Sequence, residues 1–196
     1  MHKRAISILA LVFTVSMTIG SSSRAQGQAG QGQNAGKSAP PKSAAATHTF
    51  ISRADIEILM KSDGDHPARV VDIAKSYNLG AYLLHLSARK ANPETLNGWA
   101  HHDISELYYV IRGSGAFLIG GELENPKQDD PNSESVKTVR GPSMTGRMKG
   151  YKTQKYVAGD VIIIPVDVPH LPTYEVTEAA DILRVVIDPQ RALSLK

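Results

Sequence analysis

Two short segments of the sequence carry the side chains that are best suited to chemistry. The first holds His101, His102 and Glu106 within six residues. The second places His170 shortly after an apolar run that ends at Pro165. Neutral imidazole nitrogens together with one carboxylate are ligands that suit Zn, Fe, Mn, Ni or Cu. The residues therefore indicate one divalent metal ion, provided that the fold brings both segments together. Any one of these histidines, taken alone, is better explained as an ordinary polar residue.

Short β-rich runs separated by turn residues surround both segments. They predict strands over residues 69–74, 81–88, 106–112, 115–119, 152–157, 160–164, 171–176 and 182–187. Gly113-Ser114 and Gly120-Gly121 have the composition of tight turns. Seven or eight short strands without intervening helices favour an all-β closed barrel or jelly roll.

Two further segments flank or interrupt these strands. A short N-terminal helix is expected after Ser52, which can cap it with Asp55 three residues on, and the helix should end at residues 63–65. Residues 122–148 are polar and rich in Pro and Gly, and they predict a long excursion between two barrel strands. Positive charge is concentrated near its end, where it either attracts an anionic substrate or forms a solvated face. The residues are Arg140, Arg147, Lys149, Lys152 and Lys155.

The two chemical segments resemble the paired motifs of the cupin superfamily. In the first motif a His pair precedes a Glu, which is followed by six residues and a Gly, as Glu106 is followed here by Gly113. The second motif places Gly, Pro and His at the spacing of Gly159, Pro165 and His170. The resemblance covers most of residues 80–189 and implies a cupin jelly-roll β-barrel. It also implies that the metal ligands come from these two motifs.

The sequence departs from the cupin pattern at several positions. Cupins that bind metal usually offer three His and one Glu, but one member of the first His pair is missing here. The resemblance implies a three-ligand site made of Glu106, His170 and either His101 or His102, with the three-residue spacing slightly favouring His102. Asp167 replaces a motif Gly, and Tyr174 replaces a motif Asn. A cupin without metal is the alternative, although an unpaired buried Glu106 would be costly.

Strand alternation suggests further cavity residues. If Glu106 points inward, Tyr108 and Val110 do so too, while residues 107, 109 and 111 face outward or into a dimer contact. Tyr108 is a catalytic candidate because it can donate a hydrogen bond to a bound oxygen, although core packing explains it equally well. His85 is the second candidate, as a pocket acid or base, against the simpler interpretation of a satisfied core histidine. Trp99 either walls the pocket or packs.

The first 46 residues do not have the pattern of a folded domain. Residues 1–25 combine a basic start, an uncharged apolar run and small residues before Gln26, which predicts a signal peptide cleaved after Ala25. The mature protein would then be periplasmic or secreted, without a stable membrane anchor. Residues 26–46 are Gln, Gly, Ala, Ser and Pro in the main, a composition typical of a flexible linker. Residues 47–196 have the length of one domain, here the cupin β-barrel domain.

Composition narrows the function classes. Without Lys3, Arg4 and Arg24, the chain has 19 basic and 19 acidic residues, which argues against nucleic-acid binding through a basic face. There is no cysteine, so thiolate catalysis and thiolate metal ligation are excluded. Three functions remain: an enzyme of oxygenase, isomerase or lyase type, a module that binds or senses a small molecule without turnover, or a structural domain whose exposed β surface mainly drives dimerisation. The expected partners are a small-molecule ligand and a second copy of the chain in a homodimer.

Overall fold

A computed structural model of the chain describes residues 48–196. The predicted signal peptide, its cleavage after Ala25 and the linker over residues 26–46 lie outside the described residues and stay predictions. Within the described part, no helix has the length and apolar character needed to cross a membrane.

The short N-terminal helix, α1, runs over Arg53–Leu59. The backbone N–H of Asp55 donates to the Ser52 hydroxyl at 3.1 Å, and the Asp55 carboxylate accepts from the Ser52 backbone N–H at 3.1 Å. This reciprocal pair is the predicted capping arrangement, which satisfies two N–H groups at the helix start. The helix was predicted to end at residues 63–65. It ends earlier, at Leu59, and the first strand begins at Gly64.

Antiparallel strands make up most of the described chain. They are β1 Gly64–Ile73, β2 Tyr77–Leu86, β3 Asn97–His101, β4 Ser105–Ile119, β5 Glu122–Gln128, β6 Ser143–Lys149, β7 Lys152–Val157, β8 Val161–Ile164 and β9 His170–Asp188. The long β9 pairs with β2, β3 and β4, and β4 also pairs with β7 and β8. Beyond β3, the next strands in the sheet are β6 and then β5. The predicted all-β fold class, a jelly-roll barrel with a short N-terminal helix, is confirmed.

One predicted turn is wrong. Residues 106–112 and 115–119 belong to the single strand β4, whose register against β9 shifts repeatedly between Val110 and Gly115. Gly113 has a φ of 85°, and a Cβ there would lie 2.4 Å from the carbonyl oxygen of Ala179. The glycine therefore allows a bulge that bends the strand, rather than a reversal of the chain. Gly120 and Gly121, both at positive φ, do form the predicted turn between β4 and β5.

The predicted long excursion is also wrong in its structure. Residues 122–148 contain β5, part of β6 and a single π-helical turn, Val136–Arg140. The β5 side chains are exposed or half-buried, so this strand carries no apolar alternation that the sequence could display. The strand β3 was missed as well, because its five residues are too few to show a period of two.

The inward faces of β4 and β9 supply the main core. Tyr108 and Val110 on β4 pack with Ile182 on β9, and all three are almost completely buried. Glu106 lies on this same inward face and is only 2% exposed, whereas Tyr109 is 42% exposed. The predicted alternation along β4 is confirmed. It follows that a carboxylate lies inside the barrel, where it needs charged or hydrogen-bonding partners.

Candidate metal centre

Three strand ends bring the two sequence motifs together. His101 is the last residue of β3, Glu106 is near the start of β4, and His170 begins β9, opposite Trp99 of β3. His101 Nε2 lies 3.6 Å from Glu106 Oε1, and His170 Nε2 lies 2.9 Å from Glu106 Oε2. One ligand atom from each residue lies within 4.8 Å of the other two, and all three residues are buried.

Hydrogen bonds at the outer nitrogens assign the tautomer of each imidazole. His170 Nδ1 is 2.9 Å from the carbonyl oxygen of Val168, which can only accept, so Nδ1 carries a hydrogen. His101 Nδ1 is 2.7 Å from the Ser143 hydroxyl. That hydroxyl has carbonyl acceptors at Arg140 and Gly141 for its own hydrogen, so it accepts from His101. Both imidazoles are thereby oriented with Nε2 facing Glu106, as outer partners orient metal-binding histidines.

This donor set fits a divalent metal ion. With Nδ1 protonated, a neutral His170 presents an Nε2 lone pair to a carboxylate oxygen 2.9 Å away, an arrangement that needs a cation. A divalent metal ion would supply that cation. Burial lowers the pKa of His101 to about 3, so this imidazole is neutral and its Nε2 lone pair is available.

The Glu106 carboxylate is ionised despite its burial. Burial alone would raise its pKa, but the hydrogen bond from His170 and the positive charge of Arg184 together hold the pKa well below its usual range. A carboxylate that stays charged in the barrel core can act as a ligand without first losing a proton.

His102 lies outside the cluster. Its Nδ1 is 2.6 Å from a carboxylate oxygen of Asp167, and its side chain is 37% exposed. The strand β3 ends at His101, and the chain bends there, with the His102 N–H donating to the Pro142 carbonyl. The slight preference for His102 is therefore corrected: the structure brings His101 to Glu106 and His170 and turns His102 towards solvent.

Tyr108 contacts the cluster directly. Its hydroxyl donates to Glu106 Oε2 at 3.0 Å, and its side chain is 1% exposed. Burial raises the pKa of this phenol well above its usual value, so it remains a hydrogen-bond donor. Its ring also packs edge-on against Phe117 at 5.1 Å between centroids. Tyr108 is thus the core side chain that was the alternative interpretation, and its donation to a bound oxygen stays a prediction.

His85 does not line the cavity beside the cluster. Its Nδ1 bonds Asp181 Oδ1 at 2.7 Å, and Arg112 pairs with the other oxygen of the same carboxylate. The candidacy of His85 as a pocket acid or base is therefore wrong, and the simpler interpretation of a hydrogen-bonded structural histidine holds.

Sequence reasoning missed Arg184, which lies on the inward face of β9. Its Nη1 donates to Glu106 Oε1 at 2.7 Å, and its Nη2 is 3.0 Å from Asp65 Oδ2. The guanidinium also lies over the Tyr82 ring, 4.3 Å from the centroid. Burial raises the pKa of Asp65 to about 6, against the opposing charge of Arg184. The sequence did contain a signal for this residue, because Arg184 is the one charged residue in the otherwise apolar run of residues 182–186.

A cavity of about 480 Å³ opens beside the cluster. His101, Tyr108 and His170 line it together with Trp99, which confirms Trp99 as a wall residue. The volume lies within the range that small-molecule sites usually have. A small ligand in this cavity would lie against both candidate imidazole ligands.

Comparisons with known proteins give distant structural likenesses. No protein-family model matches the sequence, and no curated protein matches it. The fold is similar to BH2720 from Bacillus halodurans, at 12% identity and a TM-score of 0.39, over 76% of this chain and 89% of that one. It is also similar to Bacillus subtilis oxalate decarboxylase, a protein with Mn(II) centres, at 18% identity and a TM-score of 0.35. That likeness covers 60% of this chain and 23% of the decarboxylase chain. A third similar structure is an oxalate oxidase, at 13% identity and a TM-score of 0.39, over 68% of this chain and 55% of the oxidase chain.

These likenesses are too low to transfer an activity. The chain spans under a quarter of the oxalate decarboxylase chain and about half of the oxalate oxidase chain.

Proposed function

We propose that this cupin β-barrel holds one divalent metal ion through His101, Glu106 and His170 and uses it to transform a small organic molecule. The observation that carries the proposal is the convergence of two Nε2 atoms and one ionised carboxylate inside the barrel, beside a cavity. Three protein ligands with open positions are the arrangement of catalytic rather than structural metal sites.

The chemistry divides between the ion and the chain. A divalent ion bound there would supply a Lewis acid or, as Fe or Mn, a redox centre of oxygenase type. Ser143 and the Val168 carbonyl hold the imidazoles in one orientation. Tyr108 and Arg184 donate to the two oxygens of Glu106 and so fix the direction of its carboxylate. The cavity walls, with Leu84, Leu86 and Val139, offer apolar surface to the body of a bound substrate.

A binding or sensing module is the second candidate function. It is favoured by the close surroundings of Glu106, whose oxygens accept from Tyr108 and Arg184 and lie 2.9 Å from His170 Nε2. A carboxylate so occupied is not free to act as a general base. Such a module would use the same cavity to capture a ligand without turnover.

Elemental analysis of the purified full chain tests the proposal. We expect about one divalent ion per chain, with Fe or Mn as the outcome that favours an enzyme of oxygenase type. Oxygen uptake with a panel of small organic substrates should then distinguish turnover from capture. A protein that carries no metal after expression, and takes up none on addition of Fe, Mn, Zn, Ni or Cu, would contradict the metal site.

We propose further that a second copy of the chain covers the outer face of β4 and β8. Tyr109 of β4 lies opposite Val161 of β8, Ile163 lies one repeat further along the same face, and all three are at least 42% exposed. A contiguous apolar strip of this kind marks an interaction surface, and a two-fold dimer would pair the strip with itself.

Replacing Ile163 with aspartate should convert the dimer to a monomer. The charge would face its own symmetry-related region and lose hydration on association. Sedimentation velocity of the full chain at tens of micromolar measures the change, with Glu175→Lys, a half-buried charged position outside the strip, as the control. A monomeric wild-type protein would contradict the assignment.

A further inference from the structure

The cavity beside the candidate metal centre is lined by three arginines, Arg89, Arg140 and Arg184. Two of them have acidic partners on the same cavity wall. Arg89 Nη2 lies 3.0 Å from Asp63 Oδ2, and Arg184 Nη2 lies 3.0 Å from Asp65 Oδ2. Because these charges are paired within the cavity, they offer little to an incoming anion.

Arg140 differs from the other two in its partners. Its Nε donates to the Ser135 hydroxyl at 2.9 Å, and its guanidinium lies 5.2 Å from the centroid of the Trp99 ring. Arg140 also forms an ion pair, because Nη1 lies 3.5 Å from Asp129 Oδ2, but this distance is too long for a good hydrogen bond. Asp129 does not line this cavity. Within residues 48–196, the Nη groups of Arg140 donate no hydrogen bond.

The fold holds this guanidinium in place. Ser135 and Arg140 both belong to the segment around the π-helical turn, and Trp99 supplies an aromatic face for the cation. An arginine fixed at Nε and stacked on a ring has lost much of its rotamer freedom before any ligand arrives. Its Nη groups can then donate two parallel hydrogen bonds to a carboxylate from a preorganised position.

The other walls indicate the body of the ligand. They are mostly apolar, with Leu84, Leu86, Trp99, Val139 and Pro172. Asp63 and Asp65 on the same wall would repel a doubly charged phosphate more than a singly charged carboxylate. Carbon surface and one negative charge are therefore the features that the cavity complements.

We propose that the ligand of this cavity is a small organic acid whose carboxylate pairs with the Nη groups of Arg140. Its apolar body lies against the leucines and Trp99, and its other end faces His101 and His170. This assignment rests on the proposed function, because it places the ligand between Arg140 and the metal centre. Arg140 is thus a residue that determines substrate class.

Calorimetric titration of the full chain tests this assignment, with 4-hydroxybenzoate as the acid probe and 4-hydroxybenzamide as its neutral match. We expect the acid to bind roughly 10- to 100-fold more tightly than the amide, the effect of a charge-assisted hydrogen bond. The titrations are made on protein loaded with metal and on protein stripped by a chelator. Inorganic phosphate is titrated as a third probe.

Two variants of Arg140 and one control complete the test. Arg140→Gln should abolish the preference for the acid while leaving amide affinity and metal content unchanged, and Arg140→Lys should retain part of the preference. Arg147→Gln is the control, because Arg147 lies on β6 outside the cavity and donates to the carbonyls of Pro93 and Glu94. Matching melting temperatures among the variants exclude misfolding as the cause.

Several results would overturn the assignment: equal binding of acid and amide by wild-type protein, an equal loss of both in Arg140→Gln, or phosphate binding as tight as that of the acid. Failure of the metal proposal is a separate outcome. A chain that binds no metal still reports the acid preference in the stripped titrations, whereas a metal-loaded chain without that preference contradicts only the role of Arg140.

Discussion

Replacing His170 with alanine should leave the purified full chain with almost no bound divalent metal and with a lower melting temperature. The substitution removes one of three protein ligands, and it removes one of the two polar partners of Glu106 Oε2, the other being the Tyr108 hydroxyl. Loss of an outer partner alone typically costs roughly 10- to 100-fold in metal affinity, and loss of a ligand costs more. Elemental analysis and thermal unfolding measure the two effects.

His102→Ala is the matched control for this experiment. It removes a side chain of the same type from the other motif, but the imidazole of His102 points to Asp167 and is outside the cluster. Its metal content should equal that of wild-type protein, while His101→Ala should behave like His170→Ala. Wild-type metal content in His170→Ala, or metal loss in His102→Ala alone, would overturn the ligand assignment.

Chelation separates the two causes of the stability loss. A ligand that binds only the folded state raises stability by mass action, and that contribution disappears when the metal is removed. The remaining difference between stripped wild-type protein and His170→Ala then reports the bond to Glu106. We expect about 1–3 kcal/mol for it, the cost of leaving a buried acceptor short of a donor.

The sequence contained enough to predict which segments meet. Glu106, Tyr108 and Val110 alternate with exposed residues along β4, so their common inward face follows from the period of a strand. The spacing of Gly159, Pro165 and His170 predicted that this histidine joins the carboxylate, and His170 Nε2 does lie 2.9 Å from Glu106 Oε2. Local periodicity and motif spacing are properties of the amino-acid sequence, so both can be identified without a structure.

The sequence alone could not show whether His101 or His102 lies beside Glu106 and His170. The choice depends on how β3 pairs, with Trp99 opposite both His170 of β9 and Thr145 of β6. Those pairings are long-range, and β6 lies in a segment that was predicted as a loop. A shift of one residue would exchange the faces of the two histidines, so the error in the fold and the error in the site have one origin.

Arg184 illustrates a different limit. Its position in an apolar strand marked it as unusual, but its partners Glu106 and Asp65 come from β4 and β1, far away in sequence. Burial alone would lower the pKa of Arg184, and the two carboxylates together raise it above its usual value. The cation is therefore stable in the core only because the fold supplies both anions, and no local pattern specifies that.

Replacing Arg184 with methionine should reduce the free energy of unfolding of the metal-free protein by about 3–5 kcal/mol, the typical cost of removing one partner of a buried ion pair. Methionine keeps much of the side-chain volume but leaves Glu106 without its Oε1 donor and Asp65 without its counterion. Urea denaturation of the chelated full chain measures the loss. Arg191→Met, which breaks only the exposed pair with Asp72 at 3.3 Å, should cost under about 1 kcal/mol.

Two further measurements show whether uncompensated charge is the cause of this loss. Adding Asp65→Asn to Arg184→Met should restore part of the stability, because it removes one of the two carboxylates left without a cation. A divalent metal should also stabilise Arg184→Met more than it stabilises wild-type protein, because the ion then supplies the positive charge that Glu106 has lost. If Arg184→Met costs no more than Arg191→Met, or the metal stabilises both proteins equally, Glu106 does not depend on Arg184 for its charge.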